Sequence, residues 1–353
     1  MIRNPDKALQ LMKGIVPNNH FRLFDQLRKD SVELEGKPEK GWVWADVMVK
    51  LVWMQMGPLA VKAMMQKDSA TLGVVVCSST LTLWRLTKGC YEFDSTLLDH
   101  LSETDVTKIP LALLENLPEY VVYVPLNGRR LFRLQAEGVF MGLSEFRDGR
   151  KQLRFVVWTT DGELLNHTLA LTSDDLKTCL DDSYVFVEQD RAVGIEGFGF
   201  DPFPKGELDP DILARSRRDM EFMVSVFLYL CSEEPDVSGV PRQPQAGGNK
   251  APVGRFFAPD MVQMLQVGFK HGGKIRMWQE KLIKEGDDAS SGLGMPKPPT
   301  WRKAHWHLYW TGVGRLVPRI RWIQPTPINM RGQDMDNFPV SLRPVLADPA
   351  DQK

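Results

Sequence analysis

Cysteine is scarce in this chain: Cys77, Cys90, Cys179 and Cys231 are four in 353 residues, and no two of them form a CxxC pair. That spacing excludes a disulfide scaffold or a cysteine-built zinc site, and buried thiols in a reducing compartment are the expectation. Long apolar runs are also missing. The longest, around Leu72 to Trp84 and Phe222 to Cys231, fall short of the ~20 residues that a bilayer span needs, so no membrane partner is expected. There is no HExxH, and Gly194, Gly197 and Gly199 lack the order and the strand–helix setting of a dinucleotide loop. Neither a metal nor an organic cofactor is therefore expected. Residues Met1 to Asp30 have no basic start, apolar middle and small-residue cleavage site, which points to the cytoplasm, that of a bacterial host under the resemblance described below.

One further absence is local. From Ala289 to Gln333 there is no Asp or Glu, while Lys297, Arg302, Lys303, Arg315, Arg319, Arg321 and Arg331 supply +7. The net charge is −1, so the remainder of the chain carries −8. A chain with this balance is not a generic nucleic-acid binder; it is electrically polarised, and its basic end is also rich in tryptophan.

What is present reads as an α+β protein. Residues 1–108 show apolar positions at helical spacing, first Leu9, Leu11 and Met12, then a Met- and Trp-rich stripe from Trp42 to Lys67 that suits core packing. Thr71 to Leu86 is expected to be a buried helix, although Val74-Val75-Val76 leaves a strand open. Residues 109–235 change period. Tyr120 to Pro125 reads as a strand, and Val139 to Phe146, Leu153 to Thr159 and Leu164 to Leu171, separated by two Asp-Gly turns, read as an antiparallel β-meander. Asp209-Pro210 starts a helix that runs to about Cys231. A Pro- and Gly-rich linker is expected at 236–254, and a strand, a helix and a hairpin at 255–333 packed on the same body. Residues 334–353 read as a mobile tail.

The functional expectation rests on 255–333. His305-Trp306-His307-Leu308-Tyr309-Trp310 and Pro318-Arg319-Ile320-Arg321-Trp322-Ile323 both alternate with period two, and a glycine-containing turn lies between them. If Trp306 faces Trp322, then His307 faces Arg321 and Tyr309 faces Arg319, because directly opposed residues share a sheet face. Trp306, Trp310 and Trp322 then serve as structural aromatic support on an apolar face. His305, His307, Tyr309, Arg319 and Arg321 form a polar platform suited to carboxylates, phosphates or peptide carbonyls. His305 and His307 are also candidate acid–base residues, but no acid accompanies them within the basic stretch.

Three blocks make the chain resemble the second of the type V-A anti-CRISPR families, carried by phages and plasmids. One is Arg302-Lys303, His305-Trp306-His307, Tyr309-Trp310, Gly312, Arg321-Trp322 and Asn329. The others are Asn116-Leu117-Pro118 with Val122-Tyr123-Val124, and Leu230-Cys231 with Glu234-Pro235-Asp236. The likeness spans roughly residues 110 to 330. Tyr120 and Leu308 depart from it, standing where the family favours Trp and can carry Gly.

The resemblance implies inhibition of type V-A CRISPR immunity at effector biogenesis. The partner it implies is the N-terminal peptide of a nascent effector nuclease, with mRNA or the translating ribosome as further candidates and loss of that effector's mRNA as the outcome. The partner-binding set is then Arg302, Lys303, His305, His307, Tyr309, Arg319, Arg321 and Asn329. That reading is of a binding protein relying on host nucleases. The alternative is an RNA-binding protein or RNase acting directly through His305 and His307.

Overall fold

The computed structural model of the protein describes residues 5–15, 69–132, 134–145, 151–182, 210–242, 245–246, 256–288 and 300–328. The Trp42 to Lys67 stripe, the Asp148-Gly149 turn, the glycine loop at 194–206, Asn329 and the 334–353 tail lie outside these residues. Helices α1 (Asp6–Ile15) and α2 (Ser69–Trp84) precede strand β1 (Gly89–Phe93) and helix α3 (Ser95–Ser102). A 3-10 helix at Leu111–Asn116 leads into β2 (Val121–Leu131), β3 (Leu134–Glu145), β4 (Lys151–Thr159) and β5 (Leu164–Leu171). Helix α4 (Pro210–Cys231) follows, then the short strands β6 (Gln245–Ala246) and β7 (Phe256–Phe257), β8 (Gln263–Val267) and helix α5 (Phe269–Asp288). The chain closes with β9 (Thr300–Arg302), β10 (His305–Thr311), β11 (Val317–Ile323) and β12 (Thr326–Ile328). The fold is α+β.

Six strands form one sheet in the order β5-β4-β3-β2-β1-β8. The expected meander β2 to β5 is antiparallel throughout. The sheet then continues with β1, parallel to both β2 and β8. A strand at Gly89–Phe93 lies within the stretch read as helical, because five residues ending just before Asp94 are too short to show a period of their own. It joins the first third of the chain to its last third.

Both faces of this sheet are covered, and the period of two divides them. Val122, Val124, Val139, Met141, Phe155 and Val157 pack with α3, α4 and Ile275 of α5. Val121, Tyr123, Phe140, Val156 and Trp158 pack with Leu81, Leu83 and Trp84 of α2 and Leu9 of α1. Coverage on both sides explains why β2 begins with six consecutive buried residues instead of alternating. It also explains α2, a sixteen-residue helix: its Cys77 to Trp84 half is buried in full, as a segment covered on all sides can be. All four cysteines are free and buried.

Buried polar groups tie the layers together. Glu119 accepts hydrogen bonds from Thr87 Oγ1 and from Tyr91 Oη at 2.8 Å, and a Cβ at position 89 would overlap its carboxylate, so a larger residue there would have to displace this buried group. Burial pushes the Glu119 carboxyl up, against the downward pull of those donors. Asp94 caps α3 through the backbone N–H groups of Thr96 and Leu97, and it pairs with Arg276 of α5 at 2.8 Å. Among the described residues, no helix is long and apolar enough to cross a membrane.

The stretch from 236 to 242, read as the start of a linker, is tied to the sheet. Val237 bridges Val267, Ser238 N donates to Gln266 O at 2.8 Å, and Arg242 Nη1 donates to Met261 O at 2.7 Å. The segment runs as a strap along the outer edge of β8.

Candidate functional site

Strands β10 and β11 form a separate two-stranded ribbon in the expected register: Trp306 opposite Trp322, His307 opposite Arg321, and Tyr309 opposite Arg319. The pair β9 and β12 extends the ribbon at its base, with Arg302 opposite Thr326. Alternation sorts the side chains. Ile320 and Trp322 are buried, Trp306 and Leu308 are half-buried against the main core, and His305, His307, Arg319 and Arg321 are exposed, with Tyr309 half-buried among them. Arg302 and Lys303 are exposed at the base.

Trp310 corrects one expectation. Read as structural support, it is 49% exposed, with Val313 and Leu316 of the turn exposed beside it in sequence. The ribbon outruns the core, so an apolar residue of the correct parity is left uncovered at its far end.

The root of the ribbon is held by a buried knot. Trp322 Nε1 donates to Thr104 Oγ1 at 3.4 Å, and its ring meets Tyr229 edge-on at 6.0 Å and His271 at 5.9 Å. Tyr229 Oη accepts from Asp236 N at 3.3 Å and shares a hydrogen bond with His271 Nδ1 at 2.8 Å. Burial lowers the His271 pKa, against the opposing pull of Asp236. The Asp236 carboxylate accepts from the backbone N–H groups of Lys270 and His271, and thereby caps α5. The Glu234-Pro235-Asp236 block therefore fastens α4, α5 and the ribbon to one another.

A second correction concerns charge. The platform was read from a stretch without acids, yet Glu233 and Glu234 at the end of α4 reach it. Arg319 lies 3.4 Å from Glu233; Arg321 lies 3.8 Å from Glu233 and 3.6 Å from Glu234. Glu233 N also donates to Ile320 O at 2.9 Å. Both guanidinium groups remain about half exposed, so they are balanced and not sealed in. Glu234 adopts φ +54, a left-handed conformation that costs a non-glycine residue free energy and is held here by these contacts. The sequence signal for this acidic pair was its place directly after a buried helix end; its partner could not be read.

Beside Arg319 lies a small open cleft with Leu113, Asn116, Cys231 and Ile320 among its lining residues and Glu233 on its wall. It draws residues from all three sequence regions that carried the resemblance. Neither His305 nor His307 contacts a carboxylate among the described residues. His305 Nδ1 is 3.3 Å from Lys303 O, and the His307 ring stacks on Tyr309 with centroids 5.9 Å apart. No group of His, Cys, Asp and Glu among the described residues has the arrangement of a metal site.

The profile of the anti-CRISPR type V subtype A2 family matches residues 91–330. That span exceeds half of the chain. The chain belongs to this family. Its place in the type V subtype A2 anti-CRISPR family gives it an anti-CRISPR role, and the matched span runs from β1 through β12. The crystal structure of AcrVA2 has the same fold, with a TM-score of 0.62 and 19% identity over 92% of this chain and 99% of that one. No curated protein sequence matches the chain.

Proposed function

We propose that this anti-CRISPR captures the N-terminal segment of a nascent type V-A effector nuclease on the polar face of the β10–β11 ribbon. Effector production then falls through loss of its mRNA by host nucleases. The observation that carries this reading is the mixed charge of the face. Arg319 and Arg321 stand against Glu233 and Glu234, with His307 and Tyr309 alongside, so donors and acceptors alternate over a short distance. A peptide backbone supplies both kinds of group, whereas a phosphate chain would meet two carboxylates. The small cleft beside Arg319, lined by polar and apolar residues alike, can receive a side chain of the same peptide.

A titration of the purified protein with a synthetic peptide copying an effector N-terminus tests this. Binding is expected to weaken about tenfold in Arg321→Ser and in His307→Ala, each loss corresponding to ~1.4 kcal/mol. Peptide that does not bind, or that binds both variants equally well, removes the reading.

Arg302 and Lys303, exposed just ahead of the strand that carries the stacked His307 and Tyr309 rings, favour a second reading in which the ribbon binds or cleaves RNA directly. RNA affinity that falls steeply with salt and is lost on substituting Lys303 supports it; intact RNA and flat salt dependence remove it.

A further inference from the structure

The ribbon has two outer edges, and they differ. Ile320 O accepts from Glu233 N, so the backbone groups of Ile320 point away from β10. In an antiparallel pair, the opposed residues either exchange both hydrogen bonds or point both sets outward. Leu308, opposite Ile320, therefore directs its N–H and C=O away from β11, and by the period of two Trp306 and Trp310 do the same. Pro318 sits opposite Trp310, at an outward position where a missing N–H costs the ladder nothing. Among the described residues, the outward groups of Trp306, Leu308 and Trp310 have no partner, while β11 has the Glu233 contact on its outer side.

Charge divides the same way. The β11 half of the polar face is neutralised by Glu233 and Glu234. The β10 half carries His305 and His307, with Arg302 and Lys303 just before them, and none of these is paired with an acid among the described residues.

We infer that the outer edge of β10 is a strand-addition site, at which an extended peptide docks as a third strand. This deepens the capture reading above and rests on it. Hydrogen bonds to Trp306, Leu308 and Trp310 hold the peptide backbone, and side chains of alternate peptide residues fall on opposite faces. One set meets the apolar face of Trp306, Leu308 and Trp310. The other meets the imidazoles of His305 and His307, with Arg302 and Lys303 just before them, so the peptide suited to this edge alternates apolar residues with acceptor-bearing or acidic ones. Glu233 blocks the same mode on β11 and leaves β10 as the edge in use.

The test is amide hydrogen exchange on the full chain, with and without the effector-derived synthetic peptide. Trp306, Leu308 and Trp310 amides are expected to slow at least about tenfold on binding, while His305, His307 and Tyr309, already bonded to β11, do not change. Two N-methylated peptides, blocked at alternate residues of opposite parity, give the reciprocal readout. One is expected to lose at least about tenfold in affinity and the other to bind like the parent. Parent peptide that binds without slowing those three amides, or with both methylated forms bound equally, overturns edge docking and leaves capture standing. Failure of the parent peptide to bind overturns capture and the edge together. Slowing that follows protein concentration instead of peptide assigns the edge to a second copy and overturns the proposal.

Discussion

Strands β8 and β10 both stand at the margin of a sheet, and the protein treats the two margins differently. Along β8, the segment 236–242 supplies the Val237 bridge, the Ser238 hydrogen bonds and the Arg242 contact to Met261. Along β10, the described residues supply nothing, although the strand is as long as β11 and Arg302 and Lys303 lie just before it. An uncovered strand edge is a template for pairing with another chain, and folds commonly blunt edges that they do not use. Among the described residues one edge is covered and the other is not, and the proposed docking at β10 rests on that difference. The two are also mechanically linked, since Asp236 begins the strap, caps α5 and contacts Tyr229 at the ribbon's root.

The largest break in this comparison comes at the root. Trp322→Ala removes a buried indole and its contact with Thr104, and is expected to destabilise the protein by about 3–5 kcal/mol in urea unfolding, whereas Trp310→Ala at the exposed end should change stability by under ~1 kcal/mol. Equal effects would mean that root and tip are packed alike.

The opposite margin of the main sheet, β5, supplies a pH-dependent counterpart. His167 stacks on Phe132 at 3.8 Å, its Nε2 is buried without a partner among the described residues, and burial lowers its pKa from 6.5 to about 4. The unfolded chain binds this proton more readily than the folded one. The stability contributed by neutral His167 is therefore complete above pH 6.5 and is lost as pH falls toward about 4. Urea midpoints across that window should fall with pH in the parent and flatten in His167→Phe.

A smaller effect is expected at the strap. Asp236→Ala removes the cap on α5 and should cost about 1–2 kcal/mol, with faster amide exchange in β8 and no change in the exchange of Trp306, Leu308 and Trp310. Faster exchange at all of these positions would show that the two margins open as one unit.

Much of this organisation was legible in the residues. The meander, the α4 helix and the ribbon register follow from side-chain period and from the Asp-Gly and Asp-Pro signals. Thus Trp306 opposite Trp322 required only that apolar and polar residues stay on separate faces. Strand β1 was not legible, because Gly89–Phe93 becomes a strand through pairing with β2 on one side and β8, some 170 residues later, on the other. Nor was the strap, since Pro- and Gly-rich residues read as linker whether or not a sheet edge lies beside them. In the site, the platform residues could be named in advance, but Glu233 and Glu234 could not be placed against them.

The amino-acid sequence by itself determined which side chains share a face, where the turns fall, and that positive charge and indoles gather at one end. Those properties depend on neighbours a few residues apart, and period and composition express them directly. Only the tertiary structure decided that two acids from the end of α4 balance the ribbon's arginines, that Trp310 lies beyond the reach of the core, and that, among the described residues, the outer edge of β8 is covered while that of β10 has no partner. Each of these depends on where segments distant along the chain meet, and no local pattern encodes that meeting.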